Sequence, residues 1–148
     1  MKYVPVLSST GQKLMPCHAA RARELVRKGR AVRRFDRGLF YIQLVNRKDG
    51  AVQPIAIGID PGSKKEALTV KSESHTYLNL QVDAVTWVHE AVKTRREMRR
   101  GRRHRNCPYR QPRWANRAKR GSPPSTRARW GWKLRLCNWL ARMYPIER

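Results

Sequence analysis

Residues 54–71 read PIAIGIDPGSKKEALTVK. The first six form a near-continuous apolar run broken by Asp60-Pro61-Gly62-Ser63, and a run bounded this way predicts a strand buried on both faces. Ala67–Lys71 resumes as a second strand and Thr76–Val82 supplies a third. Short connections between sequential strands predict an antiparallel meander. From Asp83 the apolar period changes: Val85, Val88, Ala91, Val92 and Met98 recur at helical spacings. The helix they predict starts against the sheet and runs past Lys93 into Thr94–Trp114, TRREMRRGRRHRNCPYRQPRW. That stretch is too charged for a core element. A helix with guanidinium groups on every face holds together when something anionic surrounds it, and nucleic acid is the natural partner. Helical residues 94–105 would reach about 18 Å outward. Gly101 weakens them by about 1 kcal/mol relative to Ala, which predicts a far half that is helical on binding. Asn106, Pro108 and Pro112 should end the helix.

Working back toward the N-terminus, Tyr3–Leu7 is β-rich and Ser8-Ser9-Thr10-Gly11 is a turn. Lys13-Leu14-Met15-Pro16 predicts the approach to a helix, with Pro16 at its start. Across His18–Lys28, Ala22, Leu25 and Val26 mark a buried face, Arg21, Arg23 and Arg27 point elsewhere, and Gly29 is a C-cap. Ala31–Phe35 and Leu39–Val45 predict strands joined by Asp36-Arg37-Gly38 as a tight turn. Residues 1–46 thus read as a β-α-β-β module, and residues 46–53 as a connector. Beyond the arginine stretch, Gly121–Ser125 reads as a linker. A last helix is predicted over Thr126–Tyr144, with Trp130, Leu134, Cys137, Ala141 and Tyr144 at helical spacing and Pro145 as its stop.

Composition bounds the function. A chain of 148 residues suits one domain, or one domain with an appendage. It carries 34 Lys and Arg against 10 Asp and Glu, a net charge of +24. From Lys93 onward 19 basic residues face only Glu97 and Glu147, so these 56 residues hold +17 of the total. Self-repulsion on that scale opposes compaction unless phosphates bind. This predicts a folded N-terminal part and a C-terminal part completed on a polyanion. Three widely spaced cysteines, Cys17, Cys107 and Cys137, argue against a disulfide framework and for a reducing compartment. Cys17-His18 lacks a CxxC partner and reads as a small thiol beside a helix start rather than as a zinc site. No run of 18 apolar residues and no signal-peptide core occurs, which predicts an intracellular protein of cytoplasm, nucleoid or organelle, with no membrane role.

Two stretches carry chemistry. Gly58–Lys64 sets Asp60 at the tip of a strand, before a glycine turn that lets a phosphate backbone approach. A carboxylate there can hold a divalent metal such as Mg²⁺, although Asp-Pro-Gly is equally an ordinary turn. Two-metal cleavage needs several carboxylates at one point, and Glu66, Glu73, Asp83, Glu90 and Glu147 show no converging spacing. The second stretch offers Arg95, Arg96, Arg99, Arg100, Arg102, Arg103 and Arg105, with Arg110 and Arg113 beyond, as bidentate phosphate donors. Tyr109, Trp114, Trp130 and Trp132 are candidates for base stacking. Such contacts read backbone and shape, and they suit a structured RNA better than a straight duplex.

Lys13–Arg23 with Arg27–Ala31, Gly58–Lys64 and Thr94–Arg113 occur in an order that resembles IscB-type proteins, the transposon-encoded RNA-guided nucleases. They are similar to the N-terminal PLMP module (residues 1–46), the first segment of a RuvC-like nuclease domain (54–93) and the arginine-rich bridge helix or RRXRR motif (94–114), followed by a basic linker and helix (115–148). The resemblance implies an α/β (α+β) fold in which the small module joins a partial RNase H-like sheet with a long arginine-rich helix. It also implies that Asp60 is the first metal-binding carboxylate and that the bridge arginines, with Arg21, Arg23 and Arg27 of the module, contact guide RNA. Three departures stand out: Lys13 replaces a proline, Lys65-Glu66-Ala67 stands where the family continues with Thr and Gly, and the chain stops about where the second RuvC-like segment should begin, before the later catalytic residues and the HNH domain.

Three expectations follow. The first is an RNA-binding protein without a complete catalytic site, which needs no cofactor to hold RNA and keeps Asp60 as a remnant or lone Mg²⁺ ligand. The second is the N-terminal portion of a Mg²⁺-dependent RNA-guided endonuclease with a DNA target. The third is a basic structural protein of a large ribonucleoprotein. The RNA would be guide-like, an intron or ribosomal, and a partner protein could supply missing strands at an open sheet edge.

Overall fold

The computed structural model describes residues 2–105 and 122–146. These residues form a mixed α+β arrangement of seven strands in two sheets and three helices. In chain order they are β1 (Tyr3–Leu7), β2 (Lys13–His18), α1 (Ala19–Arg27), β3 (Ala31–Asp36), β4 (Leu39–Leu44), β5 (Ala56–Asp60), β6 (Lys65–Lys71), β7 (Thr76–Asp83), α2 (Trp87–His104) and α3 (Pro124–Leu140). Two compact units result, one of Met1–Asp83 with Arg135–Arg148 and one of Ala84–Leu134.

The first sheet has the order β2-β1-β4-β3, with β1 and β4 parallel and the other pairs antiparallel. Residues 13–18 are a strand, which corrects the expected approach to a helix. Pro16 fits because β2 is the outer strand, where a missing N–H leaves no ladder bond unmade. Between the pairs Val4↔Cys17 and Val6↔Leu14 two residues of β2 oppose one of β1, so the edge bulges at the prolines. The helix starts only at Ala19, where His18 Nδ1 accepts from the Ala20 N–H at 3.3 Å. It ends at Arg27 with Lys28 as its cap, and the expected glycine, Gly29, follows in the left-handed conformation, its φ of +67° letting the Arg30 N–H reach the Leu25 carbonyl and its own N–H reach Val26. Ala22 of α1 is buried with Val4, Val6, Leu14, Ala31 and Ile42. At the β3–β4 turn both Arg37 (φ 50°) and Gly38 (φ 84°) are left-handed, which matches the twist of a two-residue hairpin.

The second sheet is the expected antiparallel meander, β5-β6-β7. Its first strand, however, is not buried on both faces. β5 is the edge: Ile55 just before it is buried, Ile57 is half-buried, and Ile59 is 38% exposed. Among the described residues no strand pairs with its outer side, and an isolated parallel bridge joins Ile55, just before it, to Ile146. One face of the meander is covered by the end of α3 and the turn after it, where Trp139, Leu140, Met143 and Tyr144 pack with Ile55, Leu68, Val70 and Tyr77. The expected face of the last helix is therefore wrong in its first half. Trp130 and Leu134 are exposed, because packing uses the final turn and the residues beyond it. The helix also begins earlier, at Pro124, which suits a first helical position, and stops at Leu140. The same core takes in Tyr3, Met15, Leu39 and Tyr41 from the first sheet, and Arg142 bonds Asp36 at 2.8 Å, so sheets and C-terminal turn form one body.

Candidate nucleic-acid interface

α2 is one unbroken helix of 18 residues, about 27 Å long, that passes through Gly101, ends at His104 and is capped by Arg105. It starts later than the sequence suggests, with Thr86 as an N-cap that makes no side-chain bond. Of its apolar positions only Val88 is buried; Val92 and Met98 are exposed. Every residue of 92–105 is exposed.

Helical geometry sharpens the arginine pattern. At about 100° per residue, Arg95, Arg96, Arg99, Arg100, Arg102 and Arg103 fall within an arc of roughly 160°. Thr94, Glu97, Met98, Gly101 and His104 occupy the other side, toward which the capping residue Arg105 also falls, so six of the seven arginines expected on every face share one arc. Arg95, Arg96, Arg99, Arg100 and Arg103 line one concave surface with Val92. None of these arginines has a carboxylate partner among the described residues. Like charges at i, i+4 (95/99, 96/100, 99/103) each destabilise an isolated helix by about 0.2–0.5 kcal/mol. A phosphate bound between two of them reverses that sign, because each guanidinium donates a bidentate pair to oxygen.

The arginines of α1 are arranged differently. Arg21 and Lys28 both bond Glu24, at 2.8 and 2.7 Å. Hydrogen bonds from Lys28 and then Arg21 lower the Glu24 carboxyl to about 2. Arg23 and Arg27, one turn apart, share a second exposed face. Trp130 is 58% exposed with the Lys133 ammonium 5.2 Å from its ring centre, and Trp132 is half-buried. Arg110, Arg113, Tyr109 and Trp114 lie outside the described residues. One aromatic was missed from sequence: Phe35, 69% exposed and 5.3 Å from Phe40, beside Arg33, Arg34 and Arg37 at the hairpin tip. Arginines flanking Phe-Asp-Arg-Gly-Leu-Phe were the available signal.

Asp60 ends β5, exposed and paired with Ala67. Side chains alternate along a strand, so Glu66 points to the opposite, buried face with Leu68 and Val70. Asp83 shares the face and end of the sheet with Asp60, but β6 stands between them and two strand spacings are roughly 10 Å. No three His, Cys, Asp or Glu side chains among the described residues could hold a metal together. Among the described residues, the donors around Asp60 therefore do not by themselves fit a catalytic Mg²⁺ centre. The loop after Asp60 is sterically a turn, because a Cβ on Gly62 would collide with the Lys65 carbonyl.

The model of the RRXRR protein family matches residues 4–148. This chain belongs to the RRXRR family. Within α2 the RRXRR chain carries the pattern literally as Arg99-Arg100-Gly101-Arg102-Arg103. On a helix that spacing puts four arginines on one side and the variable position on the other. No curated protein matches the RRXRR chain. None of its described helices is long and apolar enough to cross a membrane.

Proposed function

We propose that this RRXRR protein binds a structured RNA, that it descends from IscB-type RNA-guided nucleases, and that as it stands it does not cleave. One observation carries the reading: α2 presents arginines over one arc, all exposed and none with a carboxylate partner among the described residues. Arg23, Arg27 and the Phe35 hairpin add a second basic surface on the N-terminal module, and Trp130 is available for stacking. RNA binding needs no metal, and the isolation of Asp60 favours a turn or remnant role. The test is affinity for a folded RNA as salt is raised. Six phosphate contacts give a log-log slope of about −4 to −5, and a flat dependence would refute the reading. Sequencing the RNA that co-purifies with the protein distinguishes a guide-like RNA, an intron and ribosomal RNA, the last favouring a structural role in a large ribonucleoprotein.

The exposed edge of β5 favours a second reading, that of the N-terminal portion of an RNA-guided DNA endonuclease. Asp60 sits on that edge, and the parallel bridge at Ile146 is where a following strand would extend the sheet. Further segments of a longer chain or a partner protein would then bring the missing carboxylates. In a reassembled protein, Asp60→Ala should abolish Mg²⁺-dependent cleavage; cleavage that survives rejects this reading.

A further inference from the structure

The N-terminal module contains a cavity of about 340 Å³ between α1 and the first sheet. Its floor is apolar, formed by Val6, Leu14, Met15, Leu25 and Leu44. Three arginines from different segments stand at its rim: Arg21 from α1, Arg30 after the helix cap, and Arg47 after β4. No carboxylate lines it. Two of these arginines are held by their backbones or side chains. Arg30 donates its N–H to the Leu25 carbonyl and accepts from the Val45 N–H. Arg47 accepts from the Ser9 N–H, and its Nε donates to the Asp49 carbonyl at 2.8 Å. The Asn46 amide, also in the lining, offers both a donor and an acceptor. Cys17 completes the wall, and burial raises its thiol above the ordinary value.

We propose that this cavity receives one unpaired nucleotide of the bound RNA, with the base on the apolar floor and its flanking phosphates on Arg30 and Arg47. The proposal rests on the RNA-binding reading above. Volume selects the ligand: ligand cavities run from about 300 to 1,000 Å³, so this one takes a single small ring system and not a helix or strand of a partner. Charge selects further, because a cationic rim over a neutral floor matches an anionic group attached to an apolar one. A base in a duplex cannot enter, whereas one splayed from a loop or bulge can lie flat against a guanidinium plane and offer its edge to an amide. The α2 arginines grip phosphates without regard to pairing, so the two sites divide the work: α2 holds the RNA, and the cavity recognises an unstacked position in it.

Cys17 makes the proposal measurable. Iodoacetamide labelling of the full chain at about pH 8.5, read at Cys17 by peptide mass spectrometry, reports whether the cavity is occupied. The probe is a single-stranded RNA of about 12 nucleotides at about ten times its Kd, compared with the same RNA paired into a duplex, with adenosine monophosphate alone and with decanoate alone. The expected result is about tenfold slower labelling with the single strand and little change with the duplex. Arg30→Gln should remove the protection and reduce the single-strand salt slope by about 0.7, while duplex affinity, set by α2, stays the same. Unchanged Cys17 labelling on a protein that still binds RNA with a steep salt slope would overturn the cavity assignment alone. Loss of any salt-dependent RNA binding would overturn both readings. Protection by adenosine monophosphate but not by the strand would make the ligand a free nucleotide, and protection by decanoate but not by RNA would make it an apolar acid. Either result rejects the assignment.

Discussion

α1 and α2 are both basic helices, and they differ in what their charges face. α1 buries Ala22, and its half-buried Glu24 holds Arg21 and Lys28 on one side. α2 leaves residues 92–105 exposed, and its two acids, Glu90 and Glu97, form no ion pair with its arginines among the described residues. Charge count alone would rank both as nucleic-acid surfaces. Local compensation separates them: α1 is electrostatically satisfied on one side without a ligand, whereas the arginine arc of α2 has no such partner among the described residues and is lowered in energy by an external anion.

The largest test of this difference removes charge from each helix in turn. Replacing Arg95, Arg96, Arg99 and Arg100 by Gln should lower RNA affinity by about two to three orders of magnitude and the log-log salt slope by about 3. Replacing Arg23 and Arg27 should cost about tenfold and reduce the slope by less than 2. Equal losses from the two helices, measured by filter binding across a salt series, would erase the distinction. A smaller effect concerns rigidity. A Cβ on Gly101 meets nothing within 4 Å, so Gly101→Ala should stabilise α2 by about 1 kcal/mol. Circular dichroism should show added helix, with RNA affinity equal or up to about fivefold higher. A clear drop would mean that the RNA backbone approaches α2 at this residue.

The smallest effect is confined to α1. The Glu24 carboxyl is lowered from 4.5 to about 2, so its contribution is fully present above about 4.5 and is lost as pH falls toward about 2. Glu24→Gln should flatten the acid dependence of amide exchange at Leu25 and Val26 in that window, with RNA binding near pH 7 changed little. An unchanged acid profile would show that the two ion pairs are not maintained in solution, where exposed pairs are screened.

What the sequence made legible was local. The Asp36-Arg37-Gly38 hairpin and the Gly29 cap follow from backbone conformations that a few residues dictate, and both stand where their residues suggested. The meander was legible because three apolar segments with short connections have few alternatives. Pro16 misled because proline suits an edge strand as well as a helix start, and which strand lies at the edge is not a local property. The apolar run at 54–59 failed for the same reason: its composition suits a central strand, yet the sheet leaves β5 outside. In α3 the spacing of Trp130, Leu134 and Cys137 is helical, but only the last turn meets the core. For the interface, residue type identified the α2 arginines, while their confinement to one arc needed the helix phase. The cavity was invisible because Arg21, Arg30, Arg47 and Cys17 come from segments with no common period.

The cover of the meander has a consequence for synthesis. Trp139–Tyr144 pack on Ile55–Tyr77, with the whole arginine-rich segment made in between. At about 5–20 residues per second, the ribosome spends several seconds between completing β7 and reaching Trp139. During that interval the apolar face of the sheet is uncovered while the α2 arginines are already complete. A nascent chain can therefore meet a polyanion before its core has closed, and on the proposed RNA-binding function an RNA captured at that stage would assist folding by neutralising the charge that otherwise resists compaction.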